Sequence, residues 1–359
     1  MSLNQNKYCV WFFPVGTGSK GGDAILIELY DEDDNPYVFL IDGGYEETGR
    51  VIAEFLKRKY QKPLIYMMIN THPDLDHLSG LKAILEDRDI TVEKIVMNRP
   101  WKDGKLKPEH FKDKRITPNS LAERIKNSFS MADKIENIAK CRKIILSSAY
   151  SEDELIPGVL SILGPSKSFY QKYLLASDKT PETWINEWNK PYVKATMTED
   201  DYDPNNGEIE WFDEENTSEV NQTSLIILLE VGNEKFLFTG DAGKEALEEA
   251  FNQYEKLNKK NSTNDFTTVQ LPHHGSRKNV NPELLRRLNP CSFIISCPPG
   301  GEKEGHPSRR LINKLLEINY RSRIFVTKEH PFVFHKGVKI NASPQTPQGI
   351  HHKMDGKAQ

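Results

Sequence analysis

Thr71-His-Pro-Asp-Leu-Asp-His-Leu-Ser-Gly80 follows closely on the apolar run Leu64-Ile-Tyr-Met-Met-Ile69. The run has the length and continuous hydrophobicity of a buried strand, and a helix begins at His77-Leu-Ser-Gly-Leu-Lys-Ala-Ile-Leu. Strand, polar loop and helix in that order place the loop at the carboxyl edge of a strand, where open α/β sheets hold ligands. His72, Asp74, Asp76 and His77 lie within this loop. Positions 72, 74 and 76 can converge on one side while His77 swings in from the helix start. Imidazole and carboxylate donors together suit Zn²⁺, Mn²⁺ or Fe²⁺. A polar loop with Asp76 capping the helix accounts for any one of these residues, but not for all of them at this spacing.

Outward from the loop, short strands are expected at Ala24–Tyr30 and Tyr37–Asp42, joined by the turn at 31–36. Val51, Ile52, Phe55 and Leu56 give Thr48–Lys59 a helical period. From about 100 to 219 the rhythm changes, with a long helix expected near Leu121–Lys140 and a short strand near Val159–Leu163. Trp184, Trp188, Trp211 and an acidic tract from Glu199 to Glu215 complete this stretch, which reads as a largely helical insertion forming a lid or substrate wall. The β/α alternation resumes from Ser224 to Phe334, and 341–359 reads as a flexible tail after a domain spanning 1–340. Each half runs strands then helices, which suits an α/β fold of two packed sheets with helices outside.

The chain has 359 residues, 37% of them hydrophobic, so it can bury a substantial core. No apolar run approaches the roughly 18 residues of a membrane span. No basic and apolar leader opens the sequence. Cys9, Cys141, Cys291 and Cys297 form no Cys-x-x-Cys pair, as expected of reduced thiols in a cytoplasmic protein. A net charge of −4 argues against a broad nucleic-acid binder, so any such contact has to come from a local patch.

Asp42-Gly-Gly, the Thr71–Gly80 loop, Phe238-Thr-Gly-Asp241 and Leu271-Pro-His-His-Gly-Ser276 occur in the order found in metallo-β-lactamase-fold hydrolases. The chain resembles most the hydrolase domain of ComEC-like competence proteins, a likeness shared by Gly22-Asp-Ala-Ile-Leu-Ile, Asn221-x-x-Ser224 and Gly305-His-Pro307. It covers about 8–98 and 220–330. The resemblance implies a metallo-β-lactamase-like αββα sandwich and two divalent ions, Zn²⁺ or Mn²⁺. His72 and Asp74 would serve one ion, Asp76 and His77 the other, and Asp241 would bridge them. His273 or His274 would complete the second site. Neighbours on an extended backbone point opposite ways, so one is expected to ligate and the other to touch substrate or brace a ligand. Two departures matter: Asp74 stands where the common pattern has histidine, and Asn221 replaces a further histidine. The first site is thereby richer in oxygen, which favours Mn²⁺.

Asp42 reads either as a brace for the ligands or as a plain Asp-Gly turn, and Asp23 as a turn residue. The resemblance implies phosphodiester hydrolysis by a metal-activated water. Asp76 would orient the water, and His306 or the spare histidine would protonate the leaving oxygen. Asn221, Arg277 and Lys278 are candidate substrate contacts. The basic stretch Arg99, Lys102, Lys105, Lys107, Lys112, Lys114 and Arg115, with Trp101 and Phe111, could hold nucleic acid, or be a solvated face. A small phosphodiester or other ester, and a non-catalytic regulatory module keeping the fold, are the rival readings.

Overall fold

The strand at Leu64–Ile69 lies inside a sheet whose residues alternate between two apolar layers. The computed structural model describes residues 2–17, 20–183, 216–257, 263–298, 306–327, 330–340 and 349–350. Trp184, Trp188, Trp211, the acidic tract and most of the 341–359 segment lie outside them. The first sheet has the order β14-β1-β2-β3-β4-β5-β6. Its strands are β1 (Leu3–Phe12), β2 (Ile25–Asp31), β3 (Pro36–Ile41), β4 (Leu64–Ile69), β5 (Thr91–Val96), β6 (Ile145–Ser147) and β14 (Phe332–Lys336). The second has the order β15-β13-β12-β11-β10-β9-β8-β7. It contains β7 (Glu154–Ile156), β8 (Leu160–Gly164), β9 (Ile226–Val231), β10 (Glu234–Phe238), β11 (Thr268–Gln270), β12 (Ser292–Ile295), β13 (Arg323–Val326) and β15 (Gly349–Ile350).

The period of two along each strand sets the layering. Leu26, Leu40 and Met68 face α1 (Glu46–Lys59) and α2 (Leu75–Glu86), which add Ile52, Leu56, Leu78 and Leu81 to that core. Ile25, Ile27, Phe39, Ile41, Met67 and Ile69 turn the other way and meet Ile227, Leu229, Phe236, Phe238 and Ile294 from the second sheet. Beyond that sheet, Ile226, Leu228, Leu237 and Phe293 pack on α7 (Lys244–Leu257), α8 (Pro282–Arg287) and α9 (Arg309–Ile318). Helix, sheet, sheet, helix is the αββα sandwich expected from the sequence.

Among the described residues, the middle of the chain combines helices with short strands. The stretch between β5 and β9 brings α3 (Pro100–Asp103), α4 (Pro118–Ser128), α5 (Ser130–Arg142) and α6 (Lys167–Ala176), but also β6, β7 and β8, which extend both sheets. The helix expected over Leu121–Lys140 is broken between α4 and α5 at Phe129 (φ −114, ψ 46), whose ring is buried in the first core. Among the described residues no helix is long and apolar enough to cross a membrane.

β3, β4, β5 and β6 run parallel in one sheet, and β10, β11, β12 and β13 in the other. Asp42, His72, Asp241, His273, His274 and Ser296 all lie just past carboxyl ends of these parallel strands. If the inter-sheet layer is close-packed, Phe39→Ala should cost about 3–5 kcal/mol in urea unfolding. Val51→Ala, at a side chain 57% exposed on α1, should change stability by under about 0.5 kcal/mol. Similar losses for the two would contradict this layering.

Candidate metal centre

Asp42 follows β3 with φ +53, a left-handed conformation that a non-glycine residue adopts only when its surroundings hold it there. Its buried carboxylate accepts from Asn70 Nδ2 (2.9 Å), the Thr71 amide (2.8 Å), Thr71 Oγ1 (2.5 Å) and His77 Nδ1 (2.7 Å). The Asp-Gly-Gly turn is therefore a brace for the His72 loop. Its glycines let the turn lie backbone against backbone on α2. A Cβ on Gly43 would stand 2.4 Å from the Leu81 amide nitrogen, and one on Gly80 1.8 Å from the Gly43 carbonyl oxygen. Gly43 N donates to the His77 carbonyl and Gly80 N to the Gly44 carbonyl, both at 2.8 Å.

Asp74 occupies the N-cap position of α2, a place the sequence had offered to Asp76. Its side chain makes no capping bond and stands 3.6 Å from His72 Nε2. Asp76 and His77 lie in the first turn of the helix, with Asp76 Oδ2 3.9 Å from both His77 Nε2 and His274 Nε2. From the second sheet, the buried Asp241 carboxylate comes between the histidines. Oδ2 is 3.7 Å from His72 Nε2 and 3.7 Å from His273 Nε2, while Oδ1 is 3.5 Å from His77 Nε2. These separations exceed hydrogen-bond lengths. They approach the spacing of about 3.4 Å between donors sharing one ion with tetrahedral bonds near 2.1 Å.

The extended backbone expected at His273 and His274 is not what the structure has. Both have positive φ, +48 and +57, so the backbone is a tight turn and not an extended strand, and both rings reach carboxylates of the cluster. His274 is buried and His273 is partly open to solvent.

Each imidazole is oriented through Nδ1. His77 Nδ1 meets Asp42, and His274 Nδ1 meets the Ser296 carbonyl at 2.9 Å. Both partners accept only, so each ring carries its proton on Nδ1 and presents a bare Nε2 when neutral. Thr71 Oγ1 gives its proton to Asp42, which leaves its oxygen to accept from His72 Nδ1 at 3.1 Å. Asn279 Nδ2 donates to the Asp241 carbonyl at 2.8 Å, so its Oδ1 accepts from His273 Nδ1 at 3.1 Å. The Nε2 atoms of His72, His77 and His274, together with Asp241 Oδ1, are buried without a hydrogen-bond partner. His72, His77 and Asp241 form one set of donors within 4.8 Å of one another, and Asp76, His77 and His274 form a second.

The charges of these buried groups are strongly linked to one another. Burial alone would lower His77, but Asp241, Asp42 and Asp76 outweigh it and hold its pKa well above the ordinary value. Burial raises Asp241, yet His273 and His77 bring it well below the usual carboxylate range. Burial takes His274 down to about 3, keeping it a neutral donor. Asp23, read from sequence as a turn residue, is buried beside His77, and desolvation raises it to about 7.

The remaining candidates divide. The half-buried His306 places its ring 5.8 Å from that of His273 and 6.3 Å from that of His274. Asn221 lies behind His273, its Nδ2 3.4 Å from Nδ1, and bonds Thr217 and Ser218. Arg277 is buried and Lys278 half-buried. In the basic stretch, Arg99 is buried between Asp103 and Glu136. Lys107, Lys112 and Arg115 pair with Glu109, Glu182 and Asp113. Phe111 is buried in the first core and Trp101 packs against it, so neither ring is an open stacking platform. Sequence reasoning missed Tyr45, whose phenol is raised by burial and by the Asp76 carboxylate, and the braces Thr71, Asn279 and Ser296 O. A threonine beside a histidine was the one signal available, since a backbone carbonyl leaves no mark in a sequence.

Residues 18–128 match the sequence model of the Metallo-beta-lactamase superfamily. Over 101 residues, 28% of the chain, it is 26% identical to ComE operon protein 3 of Bacillus subtilis (strain 168), and this match spans only 12% of that protein's length. Among solved structures, a protein from Thermotoga maritima assigned as a metallo-beta-lactamase aligns at 11% identity and a TM-score of 0.31, over 65% of this chain and 79% of its own. The long form of RNase Z from yeast aligns at 12% identity and a TM-score of 0.37, over 97% of this chain and 50% of its own.

Asp42→Ala should destabilise the protein by at least about 3 kcal/mol, because it leaves several buried donors without an acceptor at about 1–3 kcal/mol each. Urea unfolding of the metal-free protein measures this. A loss under about 1 kcal/mol would mean that the brace is dispensable.

Proposed function

We propose that the centre holds two divalent cations, Zn²⁺ or Mn²⁺, and hydrolyses a phosphodiester. The observation that carries this reading is the set of buried, unpartnered donors: three Nε2 atoms and an Asp241 oxygen gather in two donor sets that share His77, each ring braced from behind. Orphaned polar groups at such density cost stability unless a ligand satisfies them. The donors divide around Asp241. His72, Asp74 and His273 lie on its Oδ2 side, and Asp76, His77 and His274 lie toward Oδ1. His273, braced by Asn279 and backed by Asn221, supplies the first site with an imidazole that the replacement of a family histidine by Asn221 had appeared to remove.

Bound cations would acidify water and polarise a phosphoryl oxygen. The protein's own groups do the rest. Asp76, on the first turn of α2, accepts a hydrogen bond from the attacking water and fixes its direction. His306, beside both ligand histidines and partly exposed, hands a proton to the leaving oxygen. Tyr45 stands near Asp76 with its phenol protonated, available to a non-bridging oxygen of the substrate.

A small phosphodiester is favoured over a long nucleic acid by a specific observation. Arg99 is committed to the buried acids Asp103 and Glu136, and Arg277 is buried, so these two cations are closed to a nucleic-acid backbone.

The deciding experiment takes metal-depleted protein, adds Mn²⁺ or Zn²⁺, and compares bis(p-nitrophenyl) phosphate, a dinucleotide and single-stranded DNA. Turnover that needs the metal and vanishes in Asp241→Asn and His77→Ala is expected, with Asn221→Ala the milder change. No turnover of any of the three at full metal loading would overturn the reading. Metal affinity should also climb with pH, up to about tenfold per unit, because the proton held on His77 has to leave before a cation enters. Calorimetry from pH 6 to pH 8 would show this, and a flat profile would remove His77 from the ligand set.

A further inference from the structure

Asp23 lies in the Gly-Gly-Asp-Ala turn just before β2 and is 1% exposed. Neither carboxylate oxygen has a hydrogen-bond partner. The Ser296 hydroxyl lies close enough to ease the charge, but outside bonding geometry, and its own oxygen is unpartnered. Asp42, the other carboxylate in this corner, is satisfied by its accepted bonds and needs nothing more. Asp23 shares a donor set with Asp42 and His77, all within 4.8 Å. Besides burial, the groups weighing on its charge are His77 and Asp241, then Ser296 and Asp42. The turn that carries it also packs against the ligands. A Cβ on Gly21 would stand 2.6 Å from the His274 ring, and one on Gly22 2.3 Å from the Asp76 carbonyl oxygen. The turn that carries Asp23 therefore packs on His274 and Asp76, and its carboxylate lies within 4.8 Å of donor atoms of His77 and Asp42.

A buried carboxylate that accepts no hydrogen bond is costly to a core. A turn residue would be solvated, and a structural aspartate would accept hydrogen bonds as Asp42 does. We propose that Asp23 is a further carboxylate partner of the cation held by Asp76, His77 and His274, and that it biases this position toward Mn²⁺. This rests on the two-cation reading. The second site then offers carboxylates from Asp23, Asp76 and Asp241 against two imidazoles, a donor set that favours a harder, oxygen-seeking ion.

The test is the sign of two stability changes. Asp23→Asn removes the charge and keeps the shape, so the metal-free variant should melt several degrees above metal-free wild type. It should also gain less from saturating Mn²⁺, and its Mn²⁺ dissociation constant, from competition with a chelating dye, should rise at least tenfold, more than that for Zn²⁺. A structural aspartate gives the opposite pattern, a lower melting temperature without metal and unchanged affinity, and that result would overturn the proposal. Asp23→Ser provides a second comparison. Failure of both variants to fold even with Mn²⁺ would likewise make the residue structural. If wild type itself takes up neither ion, the metal reading fails as a whole. If wild type binds and Asp23→Asn binds Mn²⁺ equally well, only the role of Asp23 falls.

Discussion

The hydrogen bond from His77 Nδ1 to Asp42 joins the end of β3 to the first turn of α2 across a turn that has no room for side chains. The same carboxylate takes the amide and hydroxyl of Thr71, and that hydroxyl in turn fixes His72. One buried carboxylate thus sets the tautomer of His77 directly and the orientation of His72 through a threonine. Ligand bonds are short and directional, and donors braced in this way lose little freedom when a cation arrives. The left-handed backbone at Asp42 is tolerated because the accepted hydrogen bonds determine it.

The second sheet answers the first. Asp241 enters from the loop after β10 and is anchored through its backbone by Asn279, which also braces His273. The loop after β12 gives the Ser296 carbonyl to His274. Every group that aims a ligand therefore comes from the carboxyl end of a parallel strand or the loop beyond it. The apolar layer between the sheets, with Phe39, Met67, Ile69, Phe236 and Phe238, fixes the distance across which Asp241 must reach. Packing at the middle of the sandwich is in this sense part of the chemistry at its rim.

Much of this was legible in the sequence. The continuous apolar run at Leu64–Ile69 and the short β-rich runs of β2 and β3 marked the strands and the place of the loop, because burial on both faces leaves a direct mark on residue type. The clustering of His72, Asp74, Asp76 and His77, the proposed ligands, was legible because imidazoles and carboxylates crowded after a buried strand have few other uses. The pair His273-His274 was not, because its outcome depends on positive φ at two non-glycine residues, which no composition signals. Asp23 was taken for a turn residue because the identity of its neighbours shows the turn, while its burial arises from contact with distant segments. The basic stretch from Arg99 to Arg115 looked open in sequence because its partners Glu136 and Glu182 lie far along the chain.

The proposed function puts two cations on either side of Asp241. Anomalous diffraction at the manganese edge from crystals grown with Mn²⁺ tests it most directly. Two peaks flanking the Asp241 carboxylate are predicted, one toward His72 and His273, the other toward His77 and His274. No peak within coordinating distance of Asp241, or peaks only elsewhere on the molecule, would contradict it.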